Sequence, residues 1–383
     1  MNNTLKWREA ATLILAAGSQ HRHIVSKLQS PAQPHSLKRT SFDYNVLLLQ
    51  RSQKSSFLPN AYVFPGGLVD PSDFSNDWVK VFEKYRHQPN FGLGLVKQNP
   101  TTRAPMFATD RTRFGSLIPG EVAFRICAIR ETFEESGILL VVPEGSDAEA
   151  SKNAMAVFEE NQKLLAKWRE DVQGDPFQFI EMCKEMRCVP NIWALHEWSN
   201  WLTPKISSSN VRRYDTAFFI CCLQKRPPTT QDQKEVVSFT WWSPFEAIQE
   251  YLSQKIFIPP PQCYELSRMC NLPHVQELHR FSLARALEGC EQWMTVLVKA
   301  EDGVLHTLPG DDLYPDDVDS TAENPKLYST NKNIEDLLRD GGRHHRLLYH
   351  DGFPNLYVNV EQKYKHLGPV AMNAHSAEPK SKI

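Results

Sequence analysis

The sequence predicts an α+β fold in which a mixed sheet packs against helices. Apolar runs of strand length dominate the chain up to about residue 243. One segment near the middle instead carries apolar residues at helical spacing, and no internal repeat is present. Strands interrupted by one strong helix are typical of a layered α+β domain and not of a solenoid.

The strands are predicted from short apolar runs that end at polar or turn-forming residues. Pro65, Gly66 and Gly67 follow the third of these runs and predict a turn there. The predicted strands span residues 11–17, 44–50, 61–64, 138–142, 196–202, 215–223 and 234–242.

The helix with the clearest pattern is predicted over residues 122–136. Pro119 precedes it, and Gly137 is the residue type that most often terminates a helix. Residues 294–308 predict a hairpin with Asp302 and Gly303 in its turn, and from about residue 310 the chain is acidic and loop-rich. Further helices are predicted over residues 78–85, 151–172, 176–186, 244–254 and 262–293.

The composition excludes several classes of protein. Lys plus Arg is 43 and Asp plus Glu is 45, so the net charge is −2 and we expect no nucleic-acid partner. The longest apolar runs, 10–17 and 217–223, fall short of the ~18 residues that span a bilayer, so we expect no membrane span. Eight cysteines without a CxxC motif predict reduced thiols in an intracellular compartment.

Residues 130–137 carry the strongest chemical signal. Glu131, Glu134 and Glu135 are spaced i, i+3 and i+4, which places three carboxylates on one face of the predicted helix. Their repulsion is relieved if a divalent cation lies among them, and Mg²⁺ or Mn²⁺ prefers such oxygen ligands. Arg130 can hold one carboxylate by a bidentate pair. The alternative is a solvated acidic face that binds nothing.

A second motif, Phe64-Pro65-Gly66-Gly67, favours the metal site. Glycines after a strand let the backbone approach a phosphate or a metal-bound group. Together the two motifs resemble the Nudix box, G-x5-E-x7-R-E-U-x-E-E-x-G-U. The resemblance implies a Nudix-type α/β/α sandwich with a mixed sheet, and a metal-dependent diphosphate hydrolase. It assigns catalysis to Arg130 and to the three glutamates that hold the metal, Glu131, Glu134 and Glu135.

The match to the Nudix box has one large gap. Gly67 corresponds to its opening glycine, and Asp73 then falls on its first glutamate. Glu121, eight residues before Arg130, is the alternative for that position. Residues 74–129 intervene where the family has seven residues. The tail of the motif is matched by Arg130, Glu131, Glu134, Glu135, Gly137 and Ile138, with Thr132 in place of an aliphatic residue.

The gap predicts a long insertion beside the site. If Gly67 and Glu131 belong to one site, the segment 74–120 must leave and return at nearly the same place. Long insertions beside active sites tend to carry binding surfaces. We therefore expect this segment to lie over or beside the carboxylate face and to help select the substrate. The candidate side chains are Arg103, Arg111 and Arg113.

A further resemblance concerns the substrate. Nudix enzymes that act on coenzyme A carry L-L-T-x-R-S/A-x3-R-x3-G-x3-F-P-G-G before the box, and residues 47–67 match it without a gap. The matching residues are Leu47, Leu48, Arg51, Ser52, Phe64, Pro65, Gly66 and Gly67, whereas Leu49, Ser56 and Asn60 depart. Arg51, with Gly66 and Gly67, is therefore expected to bind substrate, and Lys54 could also meet its phosphates.

The wider layout is similar to the peroxisomal branch of animal Nudix hydrolases that cleave coenzyme A. It implies hydrolysis of coenzyme A and its acyl esters to 3′,5′-ADP and 4′-phosphopantetheine or its acyl form. The alternatives are a NADH or ADP-ribose diphosphatase and a non-catalytic Nudix-type module. A Nudix fold often supplies another carboxylate late in the domain, where this chain has Glu235.

The same resemblance implies the domain organisation. Residues 8–250 are expected to form the Nudix domain, with insertions at 74–120 and 143–190. A helical and hairpin extension is expected over residues 255–310, and a loop-rich C-terminal region over residues 311–383.

The last three residues predict a cellular location. Ser381-Lys382-Ile383 differs from the peroxisomal address Ser-Lys-Leu only in its final residue, so we expect binding to the peroxisomal import receptor. The alternative is a mitochondrial presequence in the first forty residues, which hold few acids. The strand predicted over residues 11–17 argues against cleavage there.

Overall fold

The computed structural model describes residues 7–19, 41–55, 57–85, 101–146, 162–205, 212–232, 235–321, 326–350 and 353–370. The strands in these ranges are β1 (Arg8–Gly18), β2 (Tyr44–Arg51), β3 (Tyr62–Val63), β4 (Gly66–Leu68), β5 (Val141–Pro143), β6 (Cys188–Pro190), β7 (His196–Leu202), β8 (Tyr214–Leu223), β9 (Val236–Trp242), β10 (Gln292–Met294), β11 (Val296–Lys299), β12 (Val304–Thr307), β13 (Tyr328–Ser329), β14 (His345–His350) and β15 (Phe353–Val358). The helices are α1 (Asp77–Val81), α2 (Pro105–Ala108), α3 (Gly120–Ser136), α4 (Gln162–Gly174), α5 (Gln178–Glu185), α6 (Pro244–Leu252), α7 (Pro260–Met269), α8 (Val275–Arg285) and α9 (Ile334–Arg339).

The main sheet is mixed, and its order within the described ranges is β10-β7-β8-β1-β2-β3. The long strand β1 pairs parallel to β8 along one edge. Along its other edge it pairs antiparallel with β2 near Ala17 and with β4 near Ala11. Two strands therefore follow one another on the same edge, and this arrangement places Gly66 and Gly67 of β4 beside the middle of the sheet.

Alternate residues of β1 face two different helical layers. Leu13 and Leu15 join a core that includes the apolar side of α3. Ile14 and Ala16 join a second core that includes residues of α6 and α7. All four side chains are fully buried. The sheet therefore lies between two layers of helices, which confirms the expected α/β/α sandwich.

Helix α3 forms as its apolar spacing predicts. It follows Pro119, ends at Ser136 and presents Ile126, Ile129 and Phe133 to the core. Gly137 has φ +72°, and its N–H donates to the carbonyl oxygen of Phe133. A glycine at this position terminates the helix without the strain that another residue would meet in a left-handed conformation.

Residues 262–293 do not form the single helix that their spacing predicts. Helix α7 ends at Met269 and α8 begins at Val275. Pro273 lies in the break, because proline cannot continue a helix. Trp293 belongs to β10, where it lies beside Trp201 of β7 in parallel pairing.

The region after residue 310 has more regular structure than the loop-rich prediction. It holds α9, β13, β14 and β15, and β14 pairs antiparallel with β12. The predicted hairpin forms as β11 and β12, with Val298 beside Leu305. The predicted division at 310 therefore falls within one sheet of order β13-β11-β12-β14-β15 in the described residues. These strands have two to six residues each, too few for a clear periodicity.

Other predicted elements are shifted or shortened. The helix predicted over residues 78–85 is α1, followed by turns. The strand predicted over residues 138–142 is β5, which pairs with β6. Of the helix predicted over residues 151–172, residues 151–161 lie outside the described ranges, and the rest belongs to α4. Ser381, Lys382 and Ile383 also lie outside these ranges.

Among the helices described, none combines the length and the apolar character that crossing a bilayer requires.

Candidate functional site

The C-terminal half of α3 carries the predicted carboxylate cluster. The side chains of Glu131 and Glu134 are 17% and 15% exposed, and Glu135 is buried. Burying three carboxylates so close together is unfavourable unless cations or hydrogen-bond donors approach them. Their surroundings therefore determine what the cluster can bind.

Arg130 supplies the nearest positive charge. Its Nη1 donates to Oε1 of Glu131 at 2.9 Å and to Oε1 of Glu134 at 2.7 Å. Its Nε and Nη2 donate to the two carboxylate oxygens of Asp73, each at 2.9 Å. The guanidinium group is almost completely buried. One arginine thus orients two glutamates of its own helix and fixes a carboxylate from a distant segment.

The structure distinguishes the two candidates for the first motif carboxylate. Asp73 lies in a short 3₁₀ turn after β4, is buried, and also accepts the backbone N–H of Asp70 at 2.9 Å. Glu121 lies in the first turn of α3 and pairs with Arg103 at 2.6 Å. Asp73 therefore reaches the carboxylate cluster, whereas Glu121 lies at the opposite end of the helix.

The two glycines of β4 face the carboxylates directly. The N–H of Gly66 donates to Oε2 of Glu135 at 2.9 Å. A Cβ atom at Gly67 would lie 2.4 Å from Oε2 of Glu131. A Cβ atom at Gly66 would lie 2.4 Å from the carbonyl oxygen of Ala11. A side chain at Gly66 would meet the backbone of β1, and one at Gly67 would displace the carboxylate of Glu131, so the two glycines let β4 approach both β1 and the carboxylate helix.

Burial dominates the electrostatics of the three glutamates. It raises the pKa of Glu131 to about 7, with the neighbouring charge of Glu134 adding to the rise and Arg130 opposing it. Burial likewise raises the pKa of Glu135 well above its usual value, with the Glu131 charge adding to it. The pKa of Glu134 is raised for the same reason. Arg130 alone therefore does not neutralise the cluster.

The carboxylate oxygens of the three helix glutamates are the kind of ligand that a hard divalent cation prefers. As it stands, no three His, Cys, Asp or Glu side chains in the described ranges are arranged to hold a metal ion. Arg130 occupies one oxygen of Glu131 and one of Glu134. Glu131, Glu134 and Glu135 nevertheless supply oxygen ligands with excess negative charge beside Gly66 and Gly67, which carry no side chain.

Arg51 lies at the end of β2. Its guanidinium donates to Oγ of Ser55, at 2.8 Å from Nη2, and to the carbonyl oxygen of Phe57 at 3.1 Å. Its charge lowers the pKa of Glu135, whereas the charge of Glu235 raises it. Both side chains are therefore close enough to act electrostatically on the carboxylate helix. The substrate-binding role of Arg51 stays a prediction.

The first insertion leaves and returns at one place, as the split motif requires. Ser116 Oγ donates to the carbonyl oxygen of Phe74 at 2.8 Å. The described parts of the insertion pack against the N-terminal half of α3, where the Phe107 and Phe124 rings are 5.6 Å apart. The carboxylates lie in the other half of the helix, so these parts lie beside the carboxylate face and not over it.

The arginines of this insertion are engaged within the protein. Arg103 pairs with Glu121. Arg111 donates through both of its terminal nitrogens to Glu9 and stacks on the Phe74 ring. The remaining candidate, Arg113, lies over the ring of Phe114. Arg103 and Arg111 are thus paired with carboxylates of the protein, and a role for the three arginines in substrate selection stays a prediction. A cleft of about 770 Å³ adjoins this segment, and its walls include Leu68, Phe74, Arg111 and Phe114.

Sequence reasoning missed two side chains that contact the end of α3. Arg169 and Gln173 of α4 both donate to the backbone oxygen of Glu134, each at 2.8 Å. They lie in the second insertion, and no motif includes them. The only local signal is their i, i+4 spacing, which places them on one helical face.

Two family models match this chain. The model of the NUDT19 Nudix domain matches residues 7–269, and that of the NUDT19 C-terminal domain matches residues 297–357. The first match includes Asp73 and the whole carboxylate helix.

Relatives resemble the chain over nearly its full length, and three of them carry the name acyl-coenzyme A diphosphatase NUDT19. The protein of Xenopus laevis is 58% identical and covers 98% of this chain and 99% of its own. That of Gallus gallus is 48% identical over 100% of both, and that of Homo sapiens is 42% identical over 95% of both. Among solved structures, a NUDIX hydrolase from Alicyclobacillus acidocaldarius aligns with a TM-score of 0.48 and 19% identity, covering 72% of this chain and 96% of that one. The family-model matches and the identities of these relatives establish that the chain belongs to the NUDT19 family of Nudix hydrolases.

Proposed function

We propose that the chain hydrolyses the diphosphate of coenzyme A and of acyl-coenzyme A. The products are 3′,5′-ADP and 4′-phosphopantetheine, or its acyl form. The observation that carries the proposal is the resemblance to three acyl-coenzyme A diphosphatases at 42–58% identity over 95% or more of each protein. Matches of such coverage extend over nearly the whole chain and are not confined to an isolated motif.

Nudix hydrolases generally use a divalent metal ion, and Mg²⁺ or Mn²⁺ is the proposed ion here. Glu131, Glu134 and Glu135 would hold it, because carboxylate oxygens are the ligands that both ions prefer. When bound, the ion supplies positive charge to the diphosphate oxygens. Arg130 and Asp73 keep the helix and the strand β4 together, so the ligands and the glycine cradle face the same substrate.

The chain's own residues then perform three tasks. Gly66 and Gly67 carry no side chain, so the backbone of β4 lies directly against the carboxylates of Glu131 and Glu135. Arg51, held by Ser55, places a cation near Glu135 where it can meet a phosphate. One glutamate of the helix accepts a proton from the water that attacks phosphorus, and the bond between phosphorus and the bridging oxygen breaks.

A substrate panel tests the proposal. Coenzyme A, an acyl-coenzyme A, NADH and ADP-ribose are each supplied with Mg²⁺ or Mn²⁺, and kcat/KM is measured. We expect coenzyme A and its ester to exceed the other two by at least about tenfold. A preference for NADH or ADP-ribose would reassign the substrate within the family. If none of the four substrates is cleaved at saturating metal, the result would support a non-catalytic Nudix-type module.

A further inference from the structure

The end of the carboxylate helix is held by a cluster that the family motif does not include. Arg169 and Gln173, one turn apart on α4, donate to the same carbonyl oxygen of Glu134. The last carbonyl groups of a helix have no partner within it. These two side chains therefore bind the backbone of the residue whose carboxylate is a proposed metal ligand.

Arg169 also reaches a third segment. Its Nη1 donates to Oγ1 of Thr230 at 2.8 Å, and its Nη2 donates to the carbonyl oxygen of Thr230 at 3.1 Å. The N–H of Thr230 in turn donates to the carbonyl oxygen of Ser136 at 2.9 Å. A single guanidinium thus joins α4, the last turn of α3 and the loop before β9. We call Arg169, Gln173 and Thr230 the Arg169 clamp.

Gly137 allows the clamp to approach. A Cβ atom there would lie 2.8 Å from Oγ1 of Thr230 and 3.3 Å from Nη1 of Arg169. The glycine that terminates the helix therefore also provides the space in which the clamp contacts it. Any larger residue would displace Thr230 or Arg169 as well as strain the backbone.

The clamp connects the two segments that carry the helix glutamates and Glu235. The loop that holds Thr230 continues to Glu235, whose charge acts on both Glu134 and Glu135. The positive charge of Arg169 lies at the C-terminal end of α3, where a cation is favourable. The clamp thereby binds Thr230, five residues before Glu235, to the end of the helix that carries Glu134 and Glu135.

We propose that Arg169 is a positioning residue for hydrolysis and that it acts by holding the last turn of α3 against the loop that carries Glu235. It contacts the backbone of Glu134 and not its carboxylate, so it does not replace a metal ligand. This inference extends the proposed function. Its kinetic test rests on the proposed function, because that test measures the hydrolysis of coenzyme A. Metal affinity measured without nucleotide gives a readout that does not depend on the substrate.

The test compares Arg169→Met, Arg169→Lys and a matched control, Lys167→Met. Lys167 is exposed on the same helix, so the control removes the same charge away from the clamp. We expect Arg169→Met to lower kcat by about tenfold or more while KM changes by less than about threefold. It should also weaken Mn²⁺ binding, measured by calorimetry, by about fivefold or more. Arg169→Lys should be intermediate, because one ammonium group cannot reproduce a planar fork with three acceptors.

The outcomes separate a positioning role from a purely structural one. A folded Arg169→Met protein with wild-type kcat and Mn²⁺ affinity would overturn the inference, even if its unfolding midpoint were lower. If Arg169→Met does not fold, the same two readouts on Arg169→Lys decide. If wild-type protein does not cleave coenzyme A but the clamp variants still lose Mn²⁺ affinity, the proposed function fails and the positioning role stands.

Discussion

Asp73 and Arg130, 57 residues apart in the chain, form a buried ion pair with two parallel hydrogen bonds of 2.9 Å. The pair joins the segment after β4 to the carboxylate helix across the first insertion. The two parts of the Nudix box, which that motif writes as one continuous segment, are thus brought together here by tertiary contact. Loop closure makes this feasible, since the entropic cost of a loop rises by only about 0.6 kcal/mol per doubling of its length.

The variant Asp73→Asn tests whether this pair maintains the site. It leaves Arg130 with fewer charged partners in a buried position, so we expect the free energy of unfolding to fall by about 2–4 kcal/mol. Turnover at saturating metal should fall at least about tenfold, because Arg130 also orients Glu131 and Glu134. Urea unfolding and steady-state kinetics measure the two effects.

Glu121→Gln is the matched control for this prediction. It also disturbs a buried ion pair, with Arg103, but at the other end of the helix. It should lower stability yet leave kcat within about threefold of wild type. Equal losses of turnover in Asp73→Asn and Glu121→Gln would contradict the placement of Asp73 at the site.

Glu134→Gln and Glu135→Gln should each lower turnover by at least about tenfold while the protein stays folded. The substitutions remove a charged ligand but keep the shape, and a glutamine at 135 can still accept the N–H of Gly66. Because they relieve repulsion, the thermal midpoint without metal should hold or rise. Glu170→Gln, an exposed change on α4, is the control. Wild-type turnover in both site variants would remove their catalytic assignment.

The metal-free protein should lose stability as pH rises through neutrality. The folded-state pKa of Glu131 is raised to about 7, so the folded protein retains a proton there that the unfolded chain releases near pH 4.5. The contribution of this group is therefore present at low pH and is lost as pH rises towards 7 and above. Glu131→Gln stays neutral, so its advantage over wild type should grow by about 1–3 kcal/mol between pH 5 and pH 8.

Urea unfolding with a chelator present, at several pH values, measures this difference. A constant gap between Glu131→Gln and wild type across the range would show that the carboxyl group titrates normally in the folded protein.

Gly67→Ala should disturb the site more than the fold. The added Cβ would meet the carboxylate of Glu131 at 2.4 Å, and a side-chain end can move where backbone cannot. We expect stability to change by less than about 1.5 kcal/mol, and Mn²⁺ affinity to fall by about tenfold as Glu131 is displaced. Gly174→Ala, where the new atom meets nothing within 4 Å, should leave Mn²⁺ affinity unchanged. An unchanged affinity in Gly67→Ala would mean that Glu131 does not bind the metal in this position.

Peroxisomal import through Ser381-Lys382-Ile383 remains a proposal. A fluorescent protein fused ahead of the full chain should colocalise with peroxisomes, and removal of the last three residues should disperse it. A peroxisomal signal that survives this removal would exclude the tripeptide as the address, and a mitochondrial signal would support the alternative.

Local patterns were sufficient for the central part of the fold. The runs that became β1, β2, β7 and β8 are almost wholly buried, so their apolar character is continuous and easily recognised. The prediction of a single helix over residues 262–293 was wrong because the apolar spacing continues across Pro273, where the chain breaks into two helices. The strands after residue 310, β13, β14 and β15, were missed because each has only two to six residues.

The site could be predicted where its residues share one element. The spacing of Glu131, Glu134 and Glu135 defines a helical face from sequence alone. The assignment of Asp73 came from counting forward from Gly67 and needed the fold to distinguish it from Glu121. Arg169 could not be found, since its partners at Glu134 and Thr230 are 35 and 61 residues away and no motif links them.

The most direct test of the central claim is to identify the bond that is cleaved. Wild-type protein is incubated with an acyl-coenzyme A and Mg²⁺, and the products are identified by mass spectrometry. We expect 3′,5′-ADP and acyl-4′-phosphopantetheine in equal amounts, and we expect Glu135→Gln to form both at least about tenfold more slowly. Release of free coenzyme A and a fatty acid, or product formation undiminished in Glu135→Gln, would contradict it.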